Sequence, residues 1–166
     1  MCNVGLTGLN SASCMSCVAG KYKNITGSAE CTDCIAGKYS TVVIAISDIC
    51  QACPLNSVSA SASDEITDCM CNVGWTGSGG EAPCSACIAG TYKSSIGSNA
   101  CENCIAGTYS TTQSAVTLPV CLNCPLNSDA VEASDSAAAC ICNAGFSGVR
   151  GGLCTQCPIA KYRAAP

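Results

Sequence analysis

The sequence predicts a small disulfide-rich fold of short β-hairpins and loops with almost no helix, and two observations carry that prediction. Cysteine supplies 19 of the 166 residues, a density typical of chains that are held together by disulfides. The 48% hydrophobic content comes largely from cysteine and alanine, because the chain has one tryptophan, one phenylalanine and five tyrosines. A conventional apolar core is therefore not expected.

The chain is an array of one repeat of about seventy residues. Copies of a C-N-[VA]-G-x-[TS]-G motif open at Cys2, Cys71 and Cys142, and the cysteines between them recur as three C-x-x-C pairs followed by a C-x-C. The predicted domains are repeat 1 over residues 2–70, repeat 2 over residues 71–141, and the start of a truncated repeat 3 over residues 142–166. Because Met1 matches Met70, the middle of a C-x-C, we expect the chain to begin and end inside a longer protein.

The segments between the cysteines are short and rich in Ser, Thr, Ala and Gly. They predict two-stranded hairpins with strands of about three to five residues, and a helical turn or two only within residues 130–139. Glycines at fixed distances from the cysteines indicate positive φ or close approach of the backbone to a disulfide. The aromatic residues recur in the same way and are interpreted as lids over disulfides: Tyr22, Tyr39, Trp75, Tyr92, Tyr109, Phe146 and Tyr162.

Repeated C-x-x-C pairs also occur in zinc ribbons and in thioredoxin-like redox sites. The chain has no histidine, its C-x-C steps fit zinc poorly, and each repeat has an even number of cysteines. No βαβ context that would activate a thiol is visible. We therefore predict disulfides, with no metal and no cofactor, and a location that is secreted, at the cell surface or in the secretory lumen.

The residue types needed for catalysis are missing. Without histidine, and with no serine in a nucleophile-elbow context, neither a general base nor a triad can be assembled, so no enzymatic activity is expected. The net charge of −4 argues against a nucleic-acid partner, and no segment indicates contact with a membrane. Asp64, Glu65 and Asp68 faintly resemble an EGF-type calcium cluster, but we interpret them as solvated loop charges.

The surface is expected to be covered by something other than solvent, because only 11% of the residues are charged, against about a quarter in ordinary domains. One candidate is glycan, since Asn24 opens an N-x-[ST] sequon and serine and threonine are abundant. The other is a neighbouring chain. The uncharged β-branched run that contains Val42, Val43, Ile44 and Ile46 would form an assembly strand if exposed; the alternative is a locally buried strand.

Two sets of residues resemble known extracellular families. The segment Cys50-Gln51-Ala52-Cys53-Pro54-Leu55-Asn56-Ser57, ending at Cys69-Met70-Cys71-Asn72-Val73-Gly74-Trp75, resembles the cysteine-rich, EGF-like stretch of ephrin receptor ectodomains, and residues 121–146 repeat it. The C-x-A-G-x-Y segments are similar to modules of tumour-necrosis-factor-receptor type. The resemblance implies an elongated tandem array of EGF-like or TNFR-like modules. The repeats also resemble the EGF-like repeats of algal flagellar hair (mastigoneme) proteins.

Together with the spacing, the resemblance implies a ladder of disulfides between consecutive cysteines. The implied pairs are Cys2–Cys14, Cys17–Cys31, Cys34–Cys50, Cys53–Cys69, Cys71–Cys84, Cys87–Cys101, Cys104–Cys121, Cys124–Cys140 and Cys142–Cys154. An EGF-type crossing, in which Cys34 joins Cys53 and Cys50 joins Cys69, stays open. Cys157 is left unpaired by truncation, for a partner beyond the end of the chain.

Two functions follow as hypotheses. The first is a structural protein that self-associates, or joins other extracellular structural proteins, in a filament or matrix. The second is the stalk of a receptor or adhesin, which predicts a monomeric, sugar-coated rod. A soluble ligand-binding module would need a non-repeating exposed patch, and residues 42–46 are the one place where the sequence offers it.

Overall fold

The computed structural model describes residues 1–8 and 13–158. Within that part the regular elements are nine antiparallel hairpins, in which every strand has two residues, and three 3-10 turns. Each sheet joins two strands that are consecutive in the chain. The strands are β1 (Leu6–Thr7), β2 (Met15–Ser16), β3 (Lys21–Tyr22), β4 (Thr32–Asp33), β5 (Lys38–Tyr39), β6 (Gln51–Ala52), β7 (Ser57–Val58), β8 (Met70–Cys71), β9 (Trp75–Thr76), β10 (Ser85–Ala86), β11 (Thr91–Tyr92), β12 (Glu102–Asn103), β13 (Thr108–Tyr109), β14 (Leu122–Asn123), β15 (Ser128–Asp129), β16 (Ile141–Cys142), β17 (Phe146–Ser147) and β18 (Thr155–Gln156).

One disulfide closes each hairpin, and we call each hairpin with its disulfide a module. The nine disulfides join consecutive cysteines, from Cys2–Cys14 to Cys142–Cys154, with Cα atoms 5.5–5.8 Å apart. The crossed pairing of Cys34 with Cys53 is therefore not the one present. The fold is the predicted one, a series of small disulfide-rich modules in tandem along the chain, although the strands are shorter than expected.

A residue in the left-handed region stands between the first cysteine and the first strand of every module. It is glycine in seven modules, with φ of 75–84°, and asparagine in the other two, Asn56 and Asn127, both with φ of 62°. Its carbonyl accepts a hydrogen bond of 2.8–2.9 Å from the N–H of the residue after the second strand, as Gly20 does from Cys34. Glycine and asparagine adopt this conformation at the lowest cost. The predicted positive φ of these glycines is confirmed.

The other expected role of glycine, close approach to a disulfide, is also present. A Cβ added at Gly8, Gly77 or Gly148 would lie 3.3–3.4 Å from the sulfur of the cysteine that opens its module. The bonded sulfurs occupy the place of a core: apart from eleven cysteines, the buried apolar side chains of the described residues are Ala45, Ala115, Ala130 and Tyr92.

The chain divides into two compact units. The first comprises Met1–Asn72, Gly77–Cys84 and Ile96–Ser98, and the second comprises Val73–Thr76, Ser85–Ser95 and Asn99–Pro166. The repeat boundaries after residues 70 and 141 remain predictions. Of the predicted third repeat, residues 159–166, including Tyr162, lie outside the described residues.

Within the first unit, backbone contacts link the second module to the next one and to the one after it. The Gly20 N–H donates to the Ser40 carbonyl of the following module over 2.7 Å. The Ala62 carbonyl, two modules on, lies so close to Gly20 that a Cβ there would collide with it. In the second unit Gly90 stands in the same relation to Ser110 and Ala133.

Helix in the described residues is limited to three 3-10 turns, each directly before a cysteine: Ile66–Asp68, Leu118–Val120 and Ala137–Ala139. The sequence predicted helical structure only within residues 130–139, and the last of these turns lies there. The other two were not foreseen, because a single 3-10 turn needs no periodic apolar pattern.

Candidate interaction surface

The uncharged run at residues 42–46 was predicted to be a strand, and its backbone is instead a bend. Ala45 alone forms a bridge, to Tyr22 of the preceding module, and its side chain is 3% exposed. The other four side chains point outward: Val42 and Ile44 are 47% exposed, and Val43 and Ile46 are 59% exposed. We call Val42, Val43, Ile44 and Ile46 the aliphatic loop.

The bend is held by two hydrogen bonds to the preceding module. The Ile44 N–H donates to the Cys17 carbonyl over 2.8 Å, and the Ala45 carbonyl accepts from the Lys23 N–H over 2.9 Å. The Ile44 carbonyl lies against Gly5, one module further back. These bonds require a left-handed residue at position 44, where φ is 57°. A strand is excluded because an extended Ile44 could not make them.

The second repeat contains the same bend with different side chains. Ser114 has φ of 53° and donates to the Cys87 carbonyl over 2.8 Å, as Ile44 does to Cys17. Ala115 forms the bridge to Tyr92 that Ala45 forms to Tyr22. Thr112, Gln113, Ser114 and Val116 stand where the first repeat has the aliphatic loop. The fold therefore tolerates polar residues at three of the four positions.

Lys23 is a fully buried cation that the sequence analysis did not single out. Its side chain is 1% exposed, and its ammonium donates to the Leu6 and Gly27 carbonyls, each over 2.7 Å. Its backbone N–H donates to Ala45, and its carbonyl accepts from Gly5. One residue thus connects three modules, including the one that carries the aliphatic loop. The ammonium is stabilised because two carbonyls replace water.

Lys93 occupies the equivalent position of the second repeat. It is 1% exposed, and its ammonium donates to the Trp75 carbonyl over 2.7 Å. Burial lowers the pKa of Lys93 from its usual value. The sequence contains a signal for both residues, since lysine follows tyrosine in C-x-A-G-x-Y-K of each repeat, but burial of a lysine is so uncommon that the pattern did not predict it.

Replacing Lys23 by methionine is expected to lower the free energy of unfolding by roughly 2–4 kcal/mol, because two half-buried carbonyls lose a charged donor. Guanidinium unfolding of the oxidised protein, followed by far-UV circular dichroism, measures the loss. The control is Lys21→Met in the adjacent strand β3, which removes only the exposed 2.9 Å ion pair to Asp33 and should cost at most about 1 kcal/mol. Equal losses in the two variants would contradict the structural role of Lys23.

The six aromatic residues within the part of the chain that the structure describes lie in the first strands of their modules. The Tyr92 hydroxyl donates to Glu102 Oε2 over 2.8 Å, and this hydrogen bond, with burial in support, raises the pKa of Tyr92. Tyr39 makes the corresponding contact with Gln51 Oε1 at 3.1 Å. These hydroxyls tie the two strands of a hairpin together. The predicted role as lids over the disulfides remains a prediction.

The remaining predicted positions are dispersed. Asn24 is exposed in the loop after β3. The Asp68 carboxylate accepts from the N–H groups of Asp64 and Glu65, so it caps a 3-10 turn. Cys157 has no disulfide partner and is half-buried. Across residues 1–8 and 13–158, no group of three or more Cys, Asp or Glu side chains is placed to hold a metal ion.

Tandem disulfide-closed hairpins with a core of sulfur define a class of extracellular, cysteine-rich repeat. Residues 74–121 match the family described as tyrosine-protein kinase ephrin type A/B receptor-like. The chain thus contains a cysteine-rich ephrin-receptor-like repeat, as the sequence resemblance indicated. Repeats of this type are typically non-enzymatic. No curated protein matches the chain. The part of the chain that the structure describes has no helix with the length and apolar character needed to cross a bilayer.

Proposed function

We propose that this protein is a non-enzymatic extracellular structural protein that forms part of a filament or matrix, as in a cell-surface appendage. The observation that carries the proposal is the bonding between modules within each unit. Ser40 and Ser63, for example, contribute carbonyls to modules other than their own, at 2.7 Å from Gly20 and 3.2 Å from Ser40 respectively. Covalent closure of every module and backbone bonds between modules resist extension, which suits a load-bearing part.

Surface chemistry supports the same proposal. Few charges and many exposed aliphatic side chains distinguish this chain from an ordinary soluble domain. The aliphatic loop supplies an uncharged contact surface, and the second repeat contains the same bend in its backbone. The proposed partners are other copies of this chain or other extracellular structural proteins, with glycans on the remaining surface.

A second candidate is the stalk of a cell-surface receptor or adhesin. The match of residues 74–121 to the ephrin-receptor-like family favours it, because the name of that family refers to receptors. A stalk needs stiffness but no lateral contacts. The two candidates therefore differ in whether the oxidised chain associates with itself.

Negative-stain electron microscopy of the oxidised protein, with and without reductant, tests the proposal. A structural polymer predicts ordered filaments or sheets that fall apart when the disulfides are reduced. Dispersed single particles at every concentration would contradict it and favour the stalk.

Glycosylation at Asn24 is part of the proposal. The asparagine and Thr26 of its sequon are both exposed, so expression in a eukaryotic secretory system should add an N-linked glycan. Mass spectrometry of the peptide before and after glycosidase F should show the loss of the glycan and deamidation of Asn24. An Asn24→Gln variant is the control, and an unmodified wild-type peptide would contradict the prediction.

A further inference from the structure

We propose that the aliphatic loop, Val42, Val43, Ile44 and Ile46, is the contact surface for a second copy of this chain. The inference rests on the proposed structural function and assigns its self-association to one bend of the first repeat. Four aliphatic side chains are exposed there, next to each other in the chain and without a charge among them.

The second repeat supplies an internal comparison for these side chains. Its bend has the same left-handed residue, the same bond to a cysteine carbonyl and the same bridge, and it achieves them with Thr112, Gln113 and Ser114. The fold therefore does not require aliphatic side chains at positions 42, 43 and 44. Binding to another molecule does explain them, because an exposed apolar patch marks a contact surface.

Ile44 strengthens the comparison because it is unfavourable for the fold. A β-branched residue at φ of 57° is an outlier, whereas serine at the equivalent position avoids the branch. The side chain reaches back over Gly5, where its Cγ2 would lie 2.9 Å from an added Cβ. Isoleucine is conformationally unfavourable at this position and its side chain is 47% exposed. Its presence there is explained if a partner covers the side chain.

Charge and area identify the partner as another copy. Each chain carries a net charge of −4, so two copies approach at the least electrostatic cost through a surface without charges. The loop is self-complementary, as a two-fold contact requires. A patch of this kind covers on the order of a few hundred Å², well below the roughly 1,200 Å² of a stable complex. One contact is therefore weak, and it suits copies held side by side, where many contacts act together.

The test exchanges the loop for its counterpart in the second repeat. A variant with Val42→Thr, Val43→Gln, Ile44→Ser and Ile46→Val should keep nine disulfides and an unfolding temperature at or above that of the wild type. Sedimentation velocity over a range of protein concentration should show reversible association of the wild type, with the weight-average sedimentation coefficient rising with concentration. The variant should remain monomeric over the same range.

Two further variants locate the contact. The reverse exchange, Thr112→Val, Gln113→Val, Ser114→Ile and Val116→Ile, should add a second contact and produce species larger than dimers. A photo-crosslinking residue at position 43 should crosslink to residues 42–46 of the second copy. Crosslinks that fall elsewhere would overturn the two-fold contact.

The outcomes separate this inference from the function on which it rests. If the loop variant assembles as the wild type does, the aliphatic loop is not the contact surface and this inference is overturned. The proposed structural function would still stand. If neither protein associates in sedimentation or forms ordered assemblies in the microscope, both fail. Monomeric wild-type protein that binds neutral phosphatidylcholine vesicles through this loop would also overturn the inference.

Discussion

Full reduction of the nine disulfides is expected to unfold the described modules. Each bond closes a loop between cysteines 12–17 residues apart, and a loop of about 15 residues stabilises by roughly 3 kcal/mol in the chain-entropy model. Nothing replaces that contribution, since three alanines and one tyrosine are the only buried apolar side chains besides cysteine in the part that the structure describes. Two-residue strands are too short to persist alone.

Hydrogen exchange measured by mass spectrometry in native buffer, before and after treatment with dithiothreitol, follows this loss. The backbone amide hydrogens of Gly20 and Gly90 are bonded to carbonyls of neighbouring modules. They should exchange slowly in the oxidised protein, and at the rate of an unstructured peptide after reduction. The control is protein alkylated without reductant, in which only Cys157, the one unpaired thiol, is modified. It separates the effect of alkylating Cys157 from the effect of breaking the disulfides. Slow exchange that survives reduction of all nine bonds would refute the claim that the disulfides are the core.

Replacing Gly20 by alanine is expected to lower the free energy of unfolding by about 2–5 kcal/mol, through two effects that add. Alanine at φ of 78° costs about 1–2 kcal/mol. The new Cβ would also collide with the Ala62 carbonyl, and overpacking of this kind costs a further 1–3 kcal/mol, as a rough range. The atoms that the new Cβ would meet belong to the backbone of Ala62 and Ser63, which cannot move aside as the end of a flexible side chain can. Denaturant unfolding of the oxidised variant measures the total.

Gly37 provides the matched control because it shares the conformation and lacks the collision. Its φ is 81°, and an added Cβ would meet only Val58 Cγ2, at 3.8 Å. Gly37→Ala should therefore show the conformational cost alone, about 1–2 kcal/mol. Gly90→Ala should repeat the Gly20 result in the second unit. If Gly20→Ala and Gly37→Ala are equally destabilised, the contact across two modules contributes nothing.

The hairpins were predictable because their signals are local. A cysteine at each end, a glycine before the first strand and short polar connections determine one module without reference to the rest of the chain. Asn56 and Asn127 show the limit of that approach: they take the glycine position in two modules, and asparagine is common enough in loops that its left-handed role was not evident.

Contacts between modules were not predictable, since they depend on where distant segments meet. Lys23 is buried because Leu6 and Gly27 place two carbonyls within reach of its ammonium, and nothing in the local sequence indicates this. The run at residues 42–46 was predicted to be a strand because its residues are β-branched. The bond from Ile44 to Cys17 overrides that preference, while the exposure of the four side chains agrees with one of the two alternatives left open.

The consecutive pairing of cysteines has a consequence for how the protein is made. No cysteine lies between the two members of any disulfide, so each bond can form as soon as its second cysteine enters an oxidising compartment. Oxidation can then follow synthesis from the first module to the last, without waiting for distant segments and without later rearrangement. A longer array of the same repeat would extend this order of events rather than change it, so the length of such a protein can grow without making its maturation harder.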